Sequence, residues 1–510
     1  MEIEFKFAVP PKRLKAVEAE IRNGECRHIA LKARYFDTVD GRLAAHGVAL
    51  RLRLEGSHWV QTVKAIVDGQ GPLHRLEHNV DIDTSADGAT PPVPDARRHR
   101  GTPVGRLLDQ LLGRGKHAAP LVQTMATDIA RLLRHVRVGG STVELALDVG
   151  QVMGGAEESG DGGAPRVSPV CELELELVDG EVADLVALSA GWAQRHGLWF
   201  STVSKAERGL RLALPPDASH AVKATPPHYG DAKPAALSGL GIQRAVVAAC
   251  LAQVLPNASE VASGNEEAEV VHQLRVGIRR LRSALRELDG LTPAAFDPAW
   301  QTALTDVFRV LGVRRDGELL RTALAERLQA AGAPAVDLPP EVVTPAALGK
   351  AVRAPAFQAT LVALIGFTAV DAEESARPDA APRDLLRQRL RKLHRQVLRG
   401  GRHFESLSSE DQHSVRKRLK RLRYLVEFAG PLFDAKQAAR YADQLEPAQD
   451  ALGAFNDDAV ALRAYREAAE QAPQAWFAVG WLSARQAAQA VACRKVLRRL
   501  EKLPRFWKGD

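Results

Sequence analysis

The chain has 510 residues, 45% of them hydrophobic, with 69 Lys and Arg against 62 Asp and Glu, a formal net charge of +7 and a sequence pI near 9.3. That length suggests about two to four domains, and the basic balance favours an anionic partner. The four cysteines (Cys26, Cys171, Cys250 and Cys493) are far apart, which excludes a CxxC zinc or redox motif and suits reduced thiols in a cytosol.

The opening MEIEFKF is charged from its second residue, unlike a signal peptide. Residues 1–214 then alternate polar and apolar positions in short runs: Glu2–Phe7, Ala49–Leu54, Trp59–Lys64, Leu73–Ile82, Val143–Val149 and Cys171–Val178. A period of two predicts half-buried strands. Pro11–Arg22 and Val182–His196 read as helices, and Gly154–Pro165 as a hairpin loop. The expectation is an antiparallel α+β domain over 1–214.

Residues 215–240, rich in Pro, Ala, Ser and Gly, read as a linker. From 241 to 505 the period becomes 3.6, predicting an all-α domain with helices at Ile242–Leu255, His272–Leu288, Ala299–Leu311, Glu318–Ala331, Pro355–Ala369, Arg383–Arg399, Asp411–Phe428, Ala435–Leu452 and Ala459–Glu470. The apolar run Ala245–Leu255 contains Gln253 and stops at Pro256, too short to cross a bilayer. A soluble, cytoplasmic protein without a membrane partner is expected.

This half contains a repeat. His272, Arg275, Arg279 and Arg282 recur as His413, Arg416, Lys420 and Arg423. Leu311, Gly312, Arg315 and Asp316 recur as Leu452, Gly453, Asn456 and Asp457. One offset of 141 residues, as from 272 to 413 and from 316 to 457, covers both clusters and implies two duplicated helical sub-bundles.

Parity places Glu2, Glu4 and Lys6 on one face of the first strand. Arg51 and Arg53 share a face, as do Arg75 and Glu77, Glu144 and Asp148, and Glu172, Glu174 and Glu176. A solvated face usually mixes Ser, Thr and Gln with charge, whereas these strands carry nearly pure charge. Three glutamates on one strand repel unless cations neutralise them. Turned inward, rows of Arg and Lys would clamp phosphate oxygens while carboxylates held Mg²⁺ or Mn²⁺, a site for a metal–polyphosphate complex.

These residues resemble the CYTH, or triphosphate tunnel metalloenzyme, superfamily. Glu2 to Lys6 match its ExExK signature, followed in order by Tyr35–Thr38 (YFDT), Leu50–Arg53 (LRxR), Trp59–Lys64 (WxxTxK), Arg75–Glu77 (RxE), Arg131 after Thr127-Asp128, Leu147–Gly150 (LDxG), Glu172–Glu176 and Ser204–Gly209 (SKxxRG). The resemblance implies an eight-stranded antiparallel β-barrel tunnel. In it Lys6, Arg51, Arg53, Lys64, Arg131 and Lys205 would bind the triphosphate, and Glu2, Glu4, Asp148, Glu172 and Glu174 would hold metal. Glu2, Glu4 and Lys6 would belong to the catalytic set, with Glu77 and Glu176 supporting it.

In the second half the repeated residues fall within about 80° of one helix face. Between Arg383 and Arg423 there are 14 Lys and Arg against 4 Asp and Glu, so charge is segregated. A repeat-lined basic face suits an extended polyanion read without sequence. Aromatics are sparse, Tyr424 being the main candidate to stack on a base, so specific nucleic-acid recognition is not expected. Val271–Arg275 with Arg279–Arg282, and His413, Arg416 and Lys420–Tyr424, resemble the CHAD domain over about 241–505. That implies binding of inorganic polyphosphate, with polyphosphate granules as a location. The combined expectation is hydrolysis of inorganic triphosphate to pyrophosphate and phosphate. A class IV adenylyl cyclase, a thiamine or nucleoside triphosphatase and a non-catalytic polyphosphate scaffold are the alternatives. The oligomeric state is left open.

Overall fold

A computed structural model describes residues 2–66, 74–82, 91–113, 115–154, 166–214, 218–230, 236–321, 323–336, 345–369 and 381–508. Among them, nine strands form one antiparallel sheet: β1 Glu2–Ala8, β2 Arg27–Asp37, β3 Val48–Glu55, β4 His58–Ile66, β5 His74–Ile82, β6 Val122–Val138, β7 Ser141–Gly154, β8 Arg166–Asp179 and β9 Trp199–Phe200. Their order is β5-β4-β3-β2-β6-β7-β8-β1-β9, and β1 also pairs with β5 through Glu2↔Arg75 and Ile3↔His74. Two-residue connections join β3 to β4 and β6 to β7. Each starts on a glycine at positive φ, Gly56 at 62° and Gly139 at 59°, the conformation that tight hairpins need.

The predicted alternation of β1 is present. Phe5 and Phe7 are fully buried and meet the edge of Phe200 at 6.1 and 6.0 Å, which fixes the opposite face for Glu4 and Lys6. The helices of this half are α1 Leu14–Arg22, α2 Arg42–Ala45, α3 Pro103–Leu112, α4 Val182–His196 and α5 Lys205–Ala213. The next six are α6 Gly239–Ser263, α7 Ala268–Glu287, α8 Pro298–Arg321, α9 Ala323–Ala330, α10 Pro345–Val352 and α11 Pro355–Ala369. The last four are α12 Pro382–Arg402, α13 Ser409–Ala429, α14 Ala435–Ala469 and α15 Trp476–Arg499.

The chain divides into two units. One holds Met1–Val222, Val254–Val270 and Val352–Asp371; the other holds Lys223–Gln253, Val271–Ala351 and Ala372–Asp510. The first unit therefore recruits α11, which packs on α4. Gly366 makes that crossing possible, since a β-carbon there would lie 2.7 Å from Val186. The Gln358 side chain completes it, accepting from Phe200 N at 2.8 Å and donating to Val352 O at 2.8 Å.

Several elements differ from the reading of the sequence. Helix α6 does not stop at Pro256 but runs to Ser263, because proline forfeits one ladder bond without ending a well-buried helix. It is long and apolar enough to cross a membrane, with a mean hydropathy of 1.4 in its apolar window, but 78% of that window is buried. The two helices expected at 435–452 and 459–470 are one 35-residue helix, α14, which passes through Pro447 and Gly453. Helices α2, α3, α5, α10 and α15 and strands β2, β6 and β9 lie outside the segments read from the sequence. Residues 155–165 of the expected Gly-rich loop lie outside the described residues, as do the side chains of Glu2, Arg75, Arg315 and Asp316.

Candidate functional site

Register brings the charged rows together. Across β1 and β8, Lys6 faces Glu174 and Glu4 faces Glu176; across β6 and β7, Arg131 faces Asp148; across β7 and β8, Asp148 faces Glu172; across β4 and β5, Lys64 faces Glu77. All of these but Glu172 line a cavity of about 730 Å³ that also takes in Arg51, Arg53, Glu144 and Lys205. The expected basic set is thus gathered on one cavity, with every expected acidic residue except Glu2 and Glu172 on its wall.

Lys205 is the focus of the site. It starts α5, whose N-cap Ser204 accepts from Glu207 N at 3.1 Å. Its Nζ lies 2.7 Å from Asp148, 2.5 Å from Glu172 and 2.9 Å from Glu174. Arg131 pairs with Asp148 through two bonds of 2.6 and 2.7 Å and reaches Glu174 at 2.6 Å. Burial alone would lower Lys205 and Arg131 and raise Glu174. The opposite charges outweigh it, so both bases are held well above their usual range and Glu174 well below.

Asp148, Glu172 and Glu174 offer oxygens that all lie within 4.8 Å of one another. An all-oxygen donor set suits a hard divalent cation. Glu172 Oε2 is buried and has no hydrogen-bond partner among the described residues, with Arg208 Nη2 3.8 Å away. The residues therefore fit a metal ion. Glu4 is not in this trio. It belongs to a second acidic patch, where burial above all, then Glu4, Glu144 and Glu77, against the pull of Lys64, bring Glu176 up to about 7.

On the basic side, Lys6 donates to Val203 O at 2.7 Å and Lys64 meets Glu77 at 2.6 Å. Arg53 pairs with Glu55, yet burial and the neighbouring Arg51 and Arg131 lower it to about 10. A buried guanidinium crowded by others is stabilised by an anion. Three contributors were given no site role from the sequence: Glu144, noted only as sharing the Asp148 parity; Tyr35, noted only within its motif and whose hydroxyl bonds Arg51; and Glu55, two residues beyond Arg53, which was not noted at all.

In the second unit, both repeat copies meet at Lys420. Burial, then Arg279, Arg416 and Arg275, lower its ammonium to about 6 against the pull of Asp457. His272 is half-buried; His413 is exposed and its Nδ1 contacts Asn456 Oδ1 at 3.0 Å. Arg282 is half-buried and Arg423 exposed. Tyr424 corrects the sequence reading: it is buried and stacks on Phe428 at 6.4 Å, so it offers no face to a base.

Residues 1–210 match the CYTH domain family and residues 245–466 the CHAD domain family. The chain is similar to an inorganic triphosphatase of Haemophilus influenzae, 27% identical over 216 residues, or 41% of this chain and 54% of that one. It thus spans about half the length of the curated relative it matches. Among solved structures, it resembles the CHAD domain of the plant Ricinus communis (29% identity, TM-score 0.41, 55% of this chain and 98% of that one). It also resembles a putative adenylyl cyclase of Hippeastrum, titled as having dominant triphosphatase activity (20% identity, TM-score 0.30, 42% and 98%). With two family matches in the order that its strand and helix patterns anticipated, the chain carries a CYTH domain followed by a CHAD domain.

Proposed function

We propose that the chain hydrolyses inorganic triphosphate to pyrophosphate and phosphate with Mg²⁺ or Mn²⁺, and that its helical half binds inorganic polyphosphate. The domains proposed are 1–214 and 241–505, in a cytoplasmic protein drawn to polyphosphate granules. The observation that carries the reading is the cavity itself: six basic side chains share it with carboxylates, and Asp148, Glu172 and Glu174 offer oxygens within 4.8 Å of one another.

In this reading the eight strands β1–β8 close as a tunnel, which the pairing of β1 with β5 supports. Lys6, Arg51, Arg53, Lys64, Arg131 and Lys205 hold the triphosphate oxygens and spread the charge that grows on the leaving pyrophosphate. Glu2, Glu4, Asp148, Glu172 and Glu174 hold the metal, which when bound neutralises phosphate charge. Glu77 fixes Lys64, and Glu176 supports the set beside them. Lys205 and Arg131 pair with these carboxylates, and on triphosphate binding part of that pairing would pass to phosphate oxygens.

The test is incubation of the whole chain with tripolyphosphate, ATP and thiamine triphosphate, with Mg²⁺, Mn²⁺ or EDTA, scoring phosphate, pyrophosphate and cyclic AMP. Metal-dependent phosphate release, fastest on tripolyphosphate, is expected. No release from any substrate, or cyclic AMP as the main product, would overturn the reading.

A further inference from the structure

The two helical copies differ at a position that charge pattern alone does not reveal. Phe308, on α8, is half-buried, and three guanidinium groups gather on it: Arg275 at 5.2 Å, Arg279 at 5.5 Å and Arg282 at 5.3 Å from the ring centroid. An aromatic ring attracts cations through its quadrupole, so one ring draws together groups that repel one another. The strain shows at Arg282, which burial first, then Arg286, Arg279 and Arg309, hold below the usual guanidinium range. Its Nε is buried and has no hydrogen-bond partner among the described residues.

Arg275 is fixed at a second point. Its Nη1 donates to Gly312 O at 3.4 Å, and a β-carbon on Gly312 would lie 3.4 Å from Nη2. The repeat offset of 141 places Gln449 opposite Phe308 and Gly453 opposite Gly312. Glutamine has no π-face, and a β-carbon on Gly453 would meet nothing within 4 Å. Among the described residues, Phe308 thus gathers the arginines of the first copy, and the equivalent position of the second holds no ring.

We propose that Phe308 is a positioning residue: it preforms Arg275, Arg279 and Arg282 as an anion-binding fork, so the first copy makes the tighter contact with a chain of phosphates. This rests on the polyphosphate reading above. Long arginine side chains lose rotamer freedom when they engage a ligand, and a ring that orders them beforehand removes that cost from binding.

Titration of the whole chain with long-chain inorganic polyphosphate, at several salt concentrations, tests this. Phe308→Leu keeps an apolar side chain without a π-face, and Phe308→Gln installs the side chain that the second copy carries. Both should weaken binding by about tenfold and flatten its salt dependence, as fewer cations engage. Phe308→Trp should bind as the parent does, and Arg275→Ala should cost more than Arg416→Ala. Thermal melting reports folding, and should Phe308→Leu melt early, Phe308→Gln decides. Parental affinity in the Leu or Gln variant, or a loss in Trp equal to that in Leu, overturns the inference alone. If the parent chain binds no polyphosphate, the polyphosphate reading falls and this inference with it.

Discussion

Lys205 places one ammonium among three carboxylates, two of them fully buried, and Arg131 closes the other side. Replacing it by methionine removes the cation while keeping the apolar stem. Tripolyphosphate turnover of Lys205→Met should fall by about 100-fold or more, the usual effect of deleting one donor to developing charge. Asp148, Glu172 and Glu174 would then repel one another more strongly. Mg²⁺ should therefore raise the melting temperature of the variant more than that of the parent, by mass action on a more cation-hungry site. Equal shifts in both would contradict the placement. Parity made Asp148, Glu172 and Glu174 legible in the sequence, since a side-chain period of two puts alternate residues of a strand on one face, whereas Lys205 and Arg131 came from the family resemblance alone. Contacts between elements far apart in the chain were not legible: the pairing of Lys205 on α5 with Glu172 on β8 joins residues that no local pattern relates.

Strand β6 shows why some elements escaped the pattern. Its burial alternates around Met125, Thr127 and Ile129, with Asp128 and Ala130 exposed, but slips at the neighbouring Leu132 and Leu133, which are both buried, so no single parity runs through its 17 residues. Helix α14 escaped for another reason: Pro447 and Gly453 resemble stop signals, but packing along its 35 residues outweighs their local cost. The pairing of β6 with β7 depends on one close approach. A β-carbon on Gly150 would lie 2.1 Å from Asp128 O and 2.9 Å from Ile129 Cα, both on β6. Gly150→Ala should cost about 1–3 kcal/mol, as overpacking does, read as a lower urea midpoint. An unchanged midpoint would mean that the strands are free to part.

At the scale of the molecule, two buried histidines set the acid limit. Burial, then His78 and Arg98, lower His99 to about 4; burial, then Arg505, lower His394 to about 4. The unfolded chain takes up these protons near pH 6.5 while the folded chain refuses them until about 4. Stability is therefore intact above pH 6.5 and is lost as pH falls towards 4, by an amount on the order of 1–3 kcal/mol per histidine. Urea melts at pH 7, 6 and 5 should show this slope, and the His99→Gln, His394→Gln double variant should flatten it. The change of period suggested a boundary near residue 214, and the first stretch of the first unit runs to Val222; the return of α11 to that unit was not legible, because its apolar pattern names no partner. Residues 1–240 alone lack that helix, whose Phe357, Leu361, Leu364 and Ile365 are buried. Burial is worth roughly 1.5–3 kcal/mol per large apolar side chain, so the fragment should melt well below the first transition of the whole chain. Equal melting would show that α11 is dispensable.

That late helix also sets a timetable. During synthesis, the first unit has all its strands by residue 200 but waits for α11, which ends at residue 369. At ribosomal speeds of about 5–20 residues per second the interval is roughly 10–30 s. Throughout it the uncovered face of α4 is open to chaperones, and the cavity in the sheet belongs to a unit still unfinished.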